Sequence, residues 1–168
     1  MHHAIKFDER ESDTIANKLP HLPKELARQF FKSGEWVNEK AGAILINENQ
    51  AIDYFYYIRS GSASVSRSKM KVAKCNANEF VGEITCFSGE PATGTVKVTS
   101  SAELFRIDIE TLRKIAPEGS ALRQTIEQSI ADDLRIKIGG KNNQTWIDDE
   151  SKQNSIGILK DIDIVSAA

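Results

Sequence analysis

The sequence is short of the residue types on which active sites are usually built: two cysteines, three histidines, four prolines and 7% aromatics in 168 residues. Cys75 and Cys86 cannot build a disulfide framework, so the composition fits a reducing, cytoplasmic setting. His2, His3 and His21 all precede the strand-rich part of the chain, so no set of inward-facing imidazoles and carboxylates can hold a metal there. The two cysteines are too few and too far apart for structural zinc. No Gly-Lys-Ser/Thr phosphate loop, Gly-x-Ser-x-Gly elbow or nucleophile-activating histidine occurs in that part of the chain. No enzyme, metal or cofactor is expected.

Excess charge and long apolar runs are missing too. With 22 basic against 24 acidic side chains and a net charge of -2, the chain lacks the surplus of Lys and Arg that drives polyanion binding. Nucleic acid is not an expected partner. The longest apolar runs, Ala43 to Ile46 and Tyr54 to Ile58, fall far short of the roughly 20 residues of a membrane helix, so no span is expected. The length suits one domain whose core needs no disulfide or metal.

What is present is patterned. Residues 4 to 18 are charged and weakly periodic, whereas Pro23 to Lys32 reads as a short helix with Leu22, Leu26, Phe30 and Phe31 on one side and Gly34 as its stop. From Trp36 to Asp108 the texture becomes short runs of β-branched and aromatic residues: Ile44 to Ile46, Tyr54 to Ile58, Ala63 to Val65, Met70 to Ala73, Gly94 to Val98 and Ala102 to Ile107. Short strands at this spacing predict a sandwich or barrel. Helix returns over Glu110 to Ile115, ended by Pro117, and over Glu118 to Ile138, where Leu122, Ile126, Ile130, Leu134 and Ile138 recur every fourth residue. The tail, 141–168, is polar and then briefly apolar.

The stretch Asn78 to Val98 carries the most information. A strand ends at Gly82, a helical turn starts at Glu83, and a strand resumes after Gly89 to Pro91. Free amides at a helical start beside a glycine suit an anion, and Glu83 offers an acceptor for a sugar diol. Glu83 is equally suited to capping its own turn. Thr93 and Thr95 are ordinary strand residues that can also present hydroxyls, and Cys86 reads as a small core residue.

Here the chain resembles the cyclic nucleotide-binding domain family. The resemblance runs from about Lys32 to Ile138 and rests on Gly42-Ala43-Ile44-Leu45-Ile46, on Asp53 to Gly61, and on the phosphate-binding cassette from Phe80-Val81-Gly82-Glu83-Ile84 to Thr95-Val96. It implies a mainly β fold with flanking helices: a double-stranded β-helix, or β-roll, of eight strands with an N-terminal helical segment and C-terminal B and C helices. The implied domains are an N-terminal helical segment at 1–31, the nucleotide-binding-like domain at 32–138 and a tail at 139–168. The implied ligand-binding residues are Val81, Gly82, Glu83, Ile84, Thr85, Ala92, Thr93 and Thr95, with cAMP or cGMP as ligand. It also implies a homodimer through the C-terminal helix, and a regulatory or sensor module that signals by moving its C-terminal helices.

One departure stands out. The family's cassette reads Pro-Arg-Ala-Ala-Thr where this chain has Pro91-Ala92-Thr93-Gly94-Thr95, so Ala92 replaces the arginine that pairs with the cyclic phosphate. Loss of such a charge-assisted contact costs about 2 to 5 kcal/mol, roughly one to four decades of affinity. Lys97 is the candidate cation to compensate. The Popeye branch also lacks this arginine, and Ile130-Ala131-Asp132-Asp133-Leu134 is similar to its C-terminal helix, although its Asp-Ser-Pro-Glu motif is absent here. Two alternatives follow: a degenerate dimerisation or docking scaffold that binds no nucleotide, and a sensory fragment of a larger transporter, channel or transcription regulator. A helix-turn-helix module after the long helix is not expected, because residues 141–168 are few and carry Asp148, Asp149, Glu150, Asp161 and Asp163.

Overall fold

The computed structural model describes residues 4–82 and 85–139. The chain opens with α1 (Glu9–Lys18), which the weak periodicity of 4 to 18 conceals. Its start is fixed by a capping box: Asp8 Oδ1 accepts from Glu11 N at 2.8 Å, and Glu11 Oε1 accepts from Asp8 N at 2.9 Å. Helix α2 (Lys24–Lys32) follows the Pro23 N-cap and buries Ala27, Phe30 and Phe31. Gly34 does more than stop that helix. It begins strand β1 (Gly34–Glu39), where a Cβ would lie 2.4 Å from Arg106 O and 2.5 Å from the Phe105 ring.

The remaining strands are β2 (Ile44–Ile46), β3 (Tyr54–Arg67), β4 (Met70–Cys75), β5 (Glu79–Val81) and, after the single turn α3 (Thr85–Ser88), β6 (Thr95–Asp108). All pair antiparallel, with β3 beside β6 at the centre. One half of the roll runs β1, β6, β3, β5, and the other runs β2, β6, β3, β4. The two central strands, 14 residues each, therefore serve both halves, which turns six strands into eight segments. They bend together near Gly61, where the β3–β6 register shifts repeatedly between Ile58 and Ala63. Gly61 has φ +90, and a Cβ there would stand 2.4 Å from Ser101 O, so no other residue fits the bend.

Helix α4 (Ile109–Ile115) leaves β6 at once, capped by Asp108, whose Oδ2 accepts from Thr111 N at 3.0 Å. Helix α5 (Ala121–Gly139) then lays Leu122, Ile126 and Ile130, at most 4% exposed, against the chain's own core. At about 1.5 to 3 kcal/mol per buried aliphatic side chain, this stripe is the glue of the helix and not a free dimer seam. The side chains of Leu134 and Ile138, which would extend the stripe, lie outside the described residues, as do 140–168. Two apolar groups result. One joins the helices to one half of the roll through Phe30, Phe55, Tyr57, Phe105 and the α5 stripe; the other fills the roll with Ile46, Tyr56, Ile58, Val81, Ala92, Val96, Val98 and Leu104.

Candidate functional site

The cassette begins where β5 ends. Val81 lies opposite Tyr56 in β3, is 1% exposed, and delivers the chain to Gly82 at φ +85. A Cβ on Gly82 would sit 3.0 Å from Tyr54 O and 3.2 Å from Ile46 Cδ1, so the left-handed turn and the close approach both require glycine. Glu83 and Ile84 lie outside the described residues, as do the side chains of Thr85 and Cys86. The helical turn α3 closes at Gly89, φ +77, and the chain re-enters the roll at Ala92.

Ala92 is held firmly. Its N–H donates to Gln50 O at 2.9 Å, its carbonyl accepts from Asn49 N at 2.8 Å, and its methyl is 4% exposed among Ile46, Val81 and Val96. Gly94 follows with no room for a Cβ, which would meet Ser66 O at 2.8 Å. Thr93 is half-buried. In β6, Val96 and Val98 face the interior, which sends Thr95 and Lys97 to the outer face. The Thr95 hydroxyl accepts from Glu48 N at 3.0 Å, and Lys97 is exposed.

Two sequence expectations are corrected here. Lys97 cannot stand in for the missing arginine, because the strand alternation turns it away from the roll interior. Thr95 shares that orientation and is committed to fixing the turn at Glu48. The structure brings Val81, Gly82 and Ala92 together as one apolar wall. Among the described residues the buried polar side chains are Thr14, Lys18 and Ser129, all on α1 or α5, so none offers a charge to a phosphate inside the roll.

Sequence reasoning passed over Tyr56. This side chain is 5% exposed in the same interior group as Val81, donates its hydroxyl to Leu45 O at 3.3 Å, and has its pKa pushed up to about 12 by burial, against the opposing pull of Arg106. The signal available was its place opposite Val81 on an alternating strand. Also missed was the clamp behind the cassette. Lys18 at the end of α1 is 7% exposed, pairs with Asp133 of α5, and places Nζ 5.7 Å from the centre of the Phe80 ring in β5. Asn78 reinforces it by accepting from Tyr57 Oη at 2.8 Å and from Asn17 Nδ2 at 3.3 Å. Strand β5, which leads into the cassette, is thus gripped from both terminal helices.

A family model described as the cyclic nucleotide-binding domain matches residues 36–118, from β1 through the cassette and past α4. Those residues belong to the cyclic nucleotide-binding domain family. The cAMP-dependent protein kinase regulatory subunit of Yarrowia lipolytica is 25% identical over 116 residues, covering 69% of this chain and 31% of that protein. The chain spans less than a third of the length of the curated relatives it matches. Among solved structures, a putative cyclic nucleotide-binding protein from Geobacter metallireducens superposes with a TM-score of 0.68 at 16% identity, over 79% of this chain and 99% of that one. The regulatory domain of Toxoplasma gondii protein kinase A, solved with cAMP, gives 0.62 at 16% identity, over 82% and 56%. These likenesses establish the β-roll fold.

Proposed function

We propose that this chain is a non-catalytic, cytoplasmic regulatory module that binds a cyclic nucleotide, cAMP or cGMP, weakly through the Gly82 to Thr93 cassette. The observation that carries the reading is the cassette's backbone. Gly82 takes its left-handed turn against Tyr54 O inside a segment that matches the family from 36 to 118, and a helical turn follows it within three residues. Exposed amides at that turn, with Glu83 for the ribose, are the groups left to hold the ligand once the arginine is absent. Thr93 is the remaining hydroxyl candidate. A Kd in the high micromolar to millimolar range follows from the one to four decades lost with the guanidinium.

Occupation would shift α5 through β5, because Phe80 touches the Lys18–Asp133 clamp one residue before Val81. Any dimer contact then falls to the α5 stripe beyond Ile130. Isothermal calorimetry with cAMP and cGMP at millimolar concentration tests the reading. Measurable heat together with a rise in melting temperature supports it, and the absence of both removes it.

A second reading is favoured by one specific observation: Ala92 is buried among aliphatic side chains with no described cation facing it. On that reading the roll is a docking or dimerisation scaffold and takes no nucleotide. The domain family also occurs within longer proteins such as the kinase subunit matched here, which fits a sensory part of a larger assembly.

A further inference from the structure

The near balance of charge over the whole chain hides a strong segregation. Residues 40–47, 60–78 and 91–102 carry six cations, Lys40, Arg67, Lys69, Lys71, Lys74 and Lys97, and no carboxylate. With a net charge of -2 overall, the rest of the chain carries a formal -8. These three segments, far apart in sequence, contain β2, β4 and the adjoining halves of β3 and β6, so they meet in one half of the roll.

The register shows how they are displayed. Ile44, Lys97, Ser64 and Lys74 form one row across four strands on the outer face, and Thr95, Ser66 and Lys71 form the next. Lys71, Lys74 and Lys97 are exposed, as are Lys40 in the β1–β2 turn and Lys69 in the β3–β4 hairpin. The described helices gather on the other half, with α2 on β1 and α5 on β5, and leave this face uncovered by them. The large hydrophobic side chains that stand exposed in the described structure, Ile44 at 52% and Met70 at 48%, both belong to this half. Met70 sits between Lys69 and Lys71 at a hairpin tip where Ser68 and Lys69 both take positive φ. Glu48 borders the face, its carboxylate accepting from Ser68 N at 2.8 Å.

Lysines on an edge strand commonly keep it from pairing with another chain, which would account for Lys71 and Lys74. That explanation does not reach Lys97, which lies on the central strand β6, nor the exclusion of carboxylates, which would blunt an edge equally well. From this combination we propose that the acid-free half of the roll is a docking surface for an anionic lipid bilayer. The lysines meet phosphate headgroups, Ile44 and Met70 enter the headgroup layer, and the acidic remainder of the molecule faces away. Charge complementarity alone would also admit an acidic protein; the two exposed apolar side chains at the border of the basic rows favour lipid.

Flotation of the full chain with phosphatidylcholine vesicles, with and without phosphatidylserine, tests this directly. The expected result is retention on the anionic vesicles only, lost at high salt. Lys71→Glu/Lys97→Glu should reduce partitioning at least tenfold, since each lysine near such a surface contributes about fivefold. Ile44→Ser/Met70→Ser should reduce it severalfold, with unchanged melting temperatures in both variants. Equal retention on neutral vesicles, no retention at all, or indifference to the lysine reversals would overturn the proposal. So would equal competition by polyglutamate combined with indifference to Ile44→Ser/Met70→Ser, which would assign the face to an acidic protein instead.

Discussion

Restoring a guanidinium at position 92 has two separable consequences, and their sizes follow from the packing. The Ala92 methyl is 4% exposed among Ile46, Val81 and Val96, with its backbone pinned to Asn49 and Gln50. In Ala92→Arg without ligand, a cation must enter or skirt this apolar group, at a cost of about 3 kcal/mol. For a domain of this size that lowers the melting temperature by roughly 6 to 12 °C. When a cyclic phosphate is present, the same side chain gains a charge-assisted pair of about 2 to 3 kcal/mol, a tightening of roughly 30- to 150-fold. The variant should therefore melt early alone and recover most of the loss with saturating cAMP. Calorimetry gives the affinity, and scanning fluorimetry gives both melting temperatures. A destabilised variant whose Kd improves less than tenfold would show that the cassette no longer presents phosphate to this position, and the scaffold reading would win. A variant as stable as the parent without ligand would refute the burial argument itself.

Three further outcomes follow from the geometry. Gly82→Ala forces a Cβ to 3.0 Å from Tyr54 O at φ +85, so chemical denaturation should report a loss of about 1 to 3 kcal/mol. Lys18→Met leaves Asp133 without its partner between α1 and α5. Because Asp133 keeps 19% side-chain exposure, the expected loss is nearer 3 than 5 kcal/mol, and Lys18→Met/Asp133→Leu should restore most of it in a double-mutant cycle. Tyr56 keeps its proton in the folded state up to about pH 12, whereas the unfolded chain loses it near pH 10. Its contribution is therefore complete below pH 10 and fades between pH 10 and about 12, by about 1.4 kcal/mol per pH unit in urea titrations. Tyr56→Phe should flatten that slope.

The strands were legible because alternation and turn residues act locally. Ile44 to Ile46 and Met70 to Ala73 appear as strands where they were expected, and the helix from Pro23 to Lys32 differs by one residue. What local pattern cannot show is continuity through a bend. Gly61 reads as a turn between two strands, yet it is a bulge within one, because β6 bends beside it and keeps the hydrogen bonding going. The first helix escaped notice for a different reason: its apolar face is thin, and its buried positions are Thr14 and Lys18. The capping pair Asp8 and Glu11 was its available signature.

The candidate site was legible in its backbone and not in its electrostatics. Gly82 and Gly94 announce close approaches that the structure contains. Which way Lys97 points depends on register against β2 and β3, and register is fixed by the whole roll. The same dependence explains why net charge misled. A value of -2 is silent about three separated segments that fold into one basic face.

That separation bears on how the module can respond to anions at all. The strands enclose an apolar interior and wear their lysines outside, while the buried ion pair sits between the terminal helices. A phosphate entering the cassette would meet backbone amides and little charge, so its binding should depend weakly on salt. An anion approaching the outer face would meet five exposed lysines, so its binding should collapse as salt rises. Measuring cAMP binding and vesicle retention across one salt series would therefore tell the two apart without any mutation. Parallel salt sensitivity would mean that the nucleotide lies on the outer lysines and not in the cassette.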